Sequence, residues 1–386
     1  MHPCTRQTRP ATKGCTAGFS LVELMVALAL GLVLTIAVAT VYLSTKSGLR
    51  RQLQLGDLQR NVRIAFDYLS QDARMAGHMG CFTGRSSGFT TTLSAASVVT
   101  NFSVGIEGYE YANATSKSYV LTSTQPTNGT DAAGWKVNAS SAGVNTIPLN
   151  LIDSTGLTPG SDVLVIRTVA SEPVRLTANA TAGSNKVLVP ANHSGKCSDG
   201  VDKTSGFCAR SYGLLASCSG AQVFTVGSIA AGELTVDATL SAAYDAIGSE
   251  LFPLQTIAYY VKRSSDGSTT SLYRKIFDGD HTSGLEQELV SGVENMQLRY
   301  GVDTSTPPDG IIDEDYKTAD AVADWNAVVS VRMGLLLRSP DPADADAALA
   351  TTAVVDDVSV AFPSGKPLYD RRVFTTTVAL RNRIAY

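Results

Sequence analysis

The chain is poor in the groups that most catalysis needs. Histidine occurs four times in 386 residues, at His2, His78, His193 and His281, and none lies in an H-E-x-x-H or recognisable triad setting. No P-loop or dinucleotide fingerprint is present. There is no Lys/Arg-rich block, and the formal charge is −4, so general nucleic-acid binding is disfavoured. Cysteine is scarce, six in all, and no C-x2-C spacing occurs, which removes the usual basis for a four-cysteine zinc site. No proline falls between Pro10 and Pro126, so nothing of that kind breaks a helix there. No acid precedes Glu23.

What stands in that proline-free stretch is a long apolar run. Phe19 to Leu43 is 25 residues, long enough at about 1.5 Å per residue to span a hydrocarbon layer of about 30 Å. The eighteen residues before it carry Arg6, Arg9 and Lys13. Glu23 stands alone inside the run, and a carboxylate at such a depth costs about 2.5–3.5 kcal/mol on insertion scales, so it is ordinarily paired and functional. Beyond the run, Leu49, Leu53, Leu58, Val62, Ala65, Phe66, Leu69 and Ala73 recur at amphipathic-helix spacing. One helix from about Ser20 to Ala76 would be roughly 85 Å long, with Gly31, Gly48 and Gly56 as its weak points. Two plainer readings of the arm exist: a secretory signal cut after Ala37-Val38-Ala39, and an anchor that is never cleaved.

The remainder reads as β-rich, from its Thr, Val and Ser content and 33 glycines. Strands are expected at 118–122, 144–152, 163–167, 186–189, 222–226, 233–238, 256–263, 271–277, 287–302, 328–338 and 372–381. The Ala/Asp-rich stretch 341–350 fits a loop or a short helical turn. Past the leader four cysteines remain, and in an exported domain they read as two disulfides with three possible pairings. Cys197 and Cys208 bracket a polar loop and suit a local bridge, which leaves Cys81 with Cys218. Gly84-Arg85-Ser86-Ser87-Gly88 fits G-x-S-x-G but lacks the strand-to-helix context that a nucleophile elbow needs. Asp303, Asp309, Asp313 and Asp315 lie on a Gly-containing turn that offers hard oxygen ligands to Ca²⁺, although Pro307-Pro308 interrupt the alternation of acids. No other cofactor is indicated.

The basic leader, Gly18 before Phe19, and Glu23 in the fifth place of the run resemble the class III signal of type IV prepilins. The resemblance implies cleavage between Gly18 and Phe19 by prepilin peptidase, methylation of the Phe19 amine, and an assembly role for Glu23 against a neighbour's N-terminal amine. Met75-Ala76-Gly77, Gly80-Cys81, Ser217-Cys218-Ser219-Gly220, Val290-Ser291-Gly292-Val293, Tyr300-Gly301-Val302-Asp303 and the ending Arg371 to Asn382 are similar to PilW-family minor pilins. On that basis the fold class is α+β, a pilin-like lollipop: a long N-terminal transmembrane and amphipathic helix packed on a large antiparallel β-rich head. The implied organisation is leader 1–18, filament-core helix 19–43, amphipathic helix 44–80 and head 81–386, with a variable region 81–250 and a pilin-like sheet 251–386. The implied function is a non-enzymatic minor pilin, in the tip or priming complex of a type IV pilus. Its partners would be prepilin peptidase, the major and other minor pilins, the inner-membrane assembly machinery and the lipid bilayer, with no nucleic acid. It would sit in the bacterial inner membrane with a periplasmic head before joining the pilus. The Leu-Val-Ser-Gly-Val element and the hairpin at 256–277 are also similar to a type II secretion minor pseudopilin of the GspJ kind. A membrane-anchored periplasmic binding domain is the alternative from another class. Without the leader's three positive charges the net charge falls from −4 to −7.

Overall fold

The computed structural model describes residues 20–82, 88–94, 97–111, 118–121, 135–136, 151–152, 157–230, 232–343, 349–363 and 367–383. Its two compact units meet in sequence at Leu53 and Gln54. A single α-helix, α1, runs Leu21–Arg74. In the first unit every described side chain from Leu21 to Lys46 is exposed. Among the described residues α1 is the one helix long and apolar enough to cross a membrane. Gly31, Gly48 and Gly56 all stay helical, with open space where a Cβ would be.

In the second unit, the later part of α1 buries Leu58, Val62, Ala65, Leu69 and Ala73, a stripe spaced by three and four residues. These join the main core with Ile257, Tyr259 and Val261. Ala65 and Ala73 let the helix backbone lie close, and full burial of Leu58 and Leu69 contributes about 1.5–3 kcal/mol each. A polar clasp sits beside the stripe: the Tyr259 hydroxyl donates to Asp72 at 2.5 Å, and Arg274 Nη1 lies 3.5 Å from the same carboxylate. Burial raises the Asp72 pKa, while Tyr259 and Arg274 oppose the rise.

The helix ends because its last carbonyls find partners elsewhere. Thr168 Oγ1 donates to Met75 O at 2.9 Å, and Asn382 Nδ2 donates to Arg74 O and Ala76 O at 3.3 and 3.4 Å. Gly77 takes φ +67°, which favours glycine, and its N–H donates to Arg167 O at 2.9 Å. Cys81 follows at once and is bonded to Cys218.

The head is built on the 14-residue strand Glu250–Arg263, buried almost throughout. Along one edge it pairs first with Tyr212–Ser217 and then with Thr270–Phe277. Along the other it pairs with Val174–Arg175 and then with Val163–Val169. A 12-stranded, largely antiparallel sheet grows outward from it. Ile106–Tyr111 pairs with Val163–Val169, and Gly220–Ala230 pairs with Tyr212–Ser217. A second, three-stranded sheet orders Val293–Val302, Val328–Arg338 and Arg371–Ala379 antiparallel. Cys197 is bonded to Cys208, closing a short hairpin.

The stretch expected as one strand at 287–302 is two, Leu285–Ser291 and Val293–Val302, split by Gly292 at φ +84°. Most of the expected strand 144–152 lies outside the described residues, as do 344–348 of the Ala/Asp-rich stretch, whose described ends are not helical. Ile106–Tyr111 and Tyr212–Ser217 are strands without an expectation behind them.

The disulfides differ in the loop each closes. Cys81 and Cys218 are 137 residues apart, Cys197 and Cys208 only 11. On chain-entropy grounds the first contributes about 5 kcal/mol and the second about 3. Urea unfolding should therefore show Cys81→Ser/Cys218→Ser losing more stability than Cys197→Ser/Cys208→Ser; the reverse order would refute the estimate.

Candidate functional site

Ser20 is the last non-helical residue before α1, and Glu23 is its third residue. The Glu23 N–H donates to Ser20 Oγ at 3.2 Å, and the Ser20 N–H donates back to Glu23 Oε2 at 3.0 Å. This is a capping box, which satisfies two of the N–H groups a helix start leaves orphaned. In water such a cap is worth about 1 kcal/mol; in hydrocarbon an unsatisfied N–H costs several. The partial positive charge of the helix start also favours the carboxylate. Among the described residues Glu23 Oε1 takes no hydrogen bond, so one oxygen is fixed and the other is open to a donor. Gly18 and Phe19, the expected cleavage and methylation positions, lie outside the described residues. The S-x-x-E pattern ahead of an apolar run was readable in the sequence and was missed there.

The head holds a second polar assembly. Arg167 is 1% exposed and Glu107 is fully buried, with Nη2 2.8 Å from Oε2. Arg167 also donates to Val98 O and Val104 O at 2.8 and 3.0 Å. Nearby, Arg299 Nη1 lies 3.1 Å from Glu110 and 3.9 Å from Asp162, while Nη2 donates to Asp357. Asp162 accepts the backbone N–H of Tyr111 at 3.1 Å and of Leu298 at 2.8 Å. It thus ties the strand at 106–111 to the strand at 293–302. One guanidinium faces three carboxyl groups there. Burial, then the Asp162 charge, pushes Glu110 up to about 9, against the pull of Arg299. Burial likewise raises Asp162 to about 7, against Arg299 and its two N–H donors.

The acidic turn brings Asp303, Asp309 and Asp313 together, with ligand atoms within 4.8 Å of one another. Asp315 is exposed and not gathered with them. Asp303 accepts from Ser305 N, Ser305 Oγ and Gly310 N at 3.1, 2.6 and 2.8 Å. Asp313 accepts from Thr304 N and Oγ1 at 2.5 and 3.0 Å, and Asp309 from Ile311 N at 2.9 Å. These bonds account for the cluster as a turn held by its own donors. A group that the sequence did not suggest joins Asp278, Asp280 and His281. Asp280 accepts from Ser198 N and Oγ at 2.8 and 2.7 Å, fastening the Cys197–Cys208 hairpin, and His281 Nδ1 lies 3.1 Å from Asp278. Positions 84–87 of the G-x-S-x-G match lie outside the described residues.

Two family profiles match the chain. The prokaryotic N-terminal methylation motif covers residues 14–39, which include Ser20 and Glu23. The type IV pilus-assembly protein W family, PilW, covers residues 258–382, which include the second sheet, Arg299 and the acidic turn. Together they support a PilW-family type IV pilus pilin. No curated protein matches the chain at a significant level.

Both raised carboxyl groups have folded values above their unfolded ones, so they contribute stability that is fully present below about pH 4 and lost as pH rises through about 7 and then about 9. The melting temperature of the protein should fall from pH 5 to pH 9. Glu110→Gln, which keeps the hydrogen-bonding shape without the ionisation, should flatten that fall. An unchanged slope in the variant would remove Glu110 as its source.

Proposed function

Taking the chain as a type IV pilus pilin of the PilW family, which the two profile matches support, we propose that it is a minor pilin cut after Gly18 and methylated on Phe19. It is then built into the tip or priming complex. The observation that carries this reading is the carboxylate of Glu23, set in the first turn of an exposed apolar helix and within the methylation motif. An α-amine with a pKa near 8 is largely cationic at neutral pH. A neighbour's Phe19 amine would meet the open oxygen of Glu23, and the two charges would offset each other's desolvation.

Assembly, not catalysis, is the mechanism: apolar helices pack side by side, and the head meets other minor pilins. The head's bulk favours a tip position, since over 300 residues beyond the helix are hard to repeat along a shaft. In this reading the first partner is prepilin peptidase, and the chain resides in the inner membrane until it is extracted.

The mass of the N-terminal peptide tests the first step. Methyl-Phe19 is expected; a start at Thr40 or an intact Met1 would reject the prepilin reading. Glu23→Ala should still be cleaved yet leave the protein in the membrane fraction and absent from sheared pili. Normal incorporation of that variant would overturn the role of Glu23.

We assign no resident ion to the acidic turn, since its carboxylates are held by the turn's own N–H and hydroxyl groups. Melting should be the same in EDTA as in millimolar Ca²⁺. A calcium-dependent rise lost in Asp303→Asn would establish a Ca²⁺ site instead, because an ion bound only to the folded state stabilises it by mass action.

A further inference from the structure

We propose that Asp278, Asp280 and His281 bind one first-row divalent metal ion of the zinc type, held by two carboxylate groups and one ring nitrogen with a further position open to solvent. Such a site is independent of the assembly role proposed above.

The ligand atoms already stand where an ion would need them. His281 Nδ1 lies 3.2 and 3.1 Å from the two oxygens of Asp278 and 3.9 Å from Asp280 Oδ2. Donors placed about 2.0–2.1 Å from a zinc ion at tetrahedral angles are about 3.3 Å apart, so little has to move. One turn carries all three residues, and its surroundings fix it. The Asp278 carbonyl accepts from Tyr212 N at 3.1 Å, and Gly279 is pressed so close to Arg210 that a Cβ would lie 2.1 Å from its carbonyl oxygen. A preformed site spares the cost of ordering the ligands when the ion arrives.

Charge points the same way. The Asp280 side chain is 3% exposed, and a buried carboxylate is ordinarily paired with a cation or bound to a metal. Among the described residues no Lys or Arg pairs with Asp278 or Asp280, and His281 is the one basic side chain they meet. Two carboxylates thus share a single imidazole, whereas a divalent ion would match both. Ser198 holds Asp280 through its N–H and hydroxyl at 2.8 and 2.7 Å, the outer support that a ligating carboxylate needs. His281 and Asp278 are 33% and 25% exposed, so an ion can enter past them. The donor set also selects the metal. One nitrogen and two carboxylates suit zinc and its neighbours, whereas Ca²⁺ takes about six to eight oxygens. The sulfurs of Cys197 and Cys208 also lie within 4.8 Å of the Asp280 carboxylate, but they are bonded to each other and offer no thiolate.

Zinc binding to the full-length, untagged and disulfide-bonded chain, stripped of metal beforehand, provides the test. By calorimetry the wild type should take up one equivalent of Zn²⁺ that His281→Ala and Asp278→Asn both lack, a difference that excludes any zinc held by Cys4 and Cys15 of the leader. Ser198→Ala should weaken that binding about ten-fold, because it loosens Asp280 without removing a ligand. Zn²⁺ should also raise the melting temperature of the wild type by a few degrees, as an ion bound only to the folded state must, while Ca²⁺ leaves it unchanged. Equal Zn²⁺ uptake by the wild type and His281→Ala would overturn the proposal. So would loss of the binding in Asp303→Asn, since the ion would then sit in the acidic turn.

Discussion

A strand buried on both faces must have both edges hydrogen-bonded, because a backbone N–H or C=O left alone in the interior costs as much as a lost hydrogen bond. Glu250–Arg263 is such a strand, and much of the head follows from it. It is longer than any one of its neighbours, so each edge is shared by two partners in succession. That sharing joins residues before 250 and after 263 in one sheet. It also gives α1 a surface on which the Leu58–Ala73 stripe can pack and Asp72 can meet Tyr259.

Interiors this deep leave little room for charge, yet the head buries several. Glu107 and Glu110 both sit on the strand Ile106–Tyr111. Their presence is why that strand was illegible: Ile-Glu-Gly-Tyr-Glu-Tyr has acids and a glycine where a buried strand should have branched apolar residues. Tertiary partners far away in sequence, Arg167 and Arg299, help to make the burial tolerable. Gly108 has a separate reason, since a Cβ there would lie 1.8 Å from the Tyr300 hydroxyl oxygen. Tyr212–Ser217 was missed for a different cause. Its Tyr-Gly-Leu-Leu-Ala-Ser has weak strand propensity, and its burial is dictated by strands on either side.

Regions with strong local periodicity were legible almost to the residue. Val328–Arg338 was expected at its observed bounds, and the helix was expected from an apolar stripe with no proline in it. The acidic turn shows the limit of composition. Its four aspartates suggested a cation, while the structure gathers three of them and occupies each with donors from the turn itself. Sequence gives the ligand types; geometry adds which of them are gathered and which donors each already meets.

Glu23 shows the same distinction at the functional end of the chain. Read as a lone acid in an apolar run, it demands an external partner, because an unpaired carboxylate there is too costly. The capping box lowers that demand: Ser20 and the helix start already stabilise one oxygen. An intermolecular amine is then not needed merely to make the acid tolerable in lipid. In the assembly proposed above, its contribution can instead go into choosing and aligning a neighbour, since the fixed oxygen sets where the open one points. A carboxylate already steadied by its own helix can wait unpaired in the membrane and still gain from a cation when a second helix arrives. Such a residue fits the proposed course of a subunit that first resides in the bilayer and only later joins a filament.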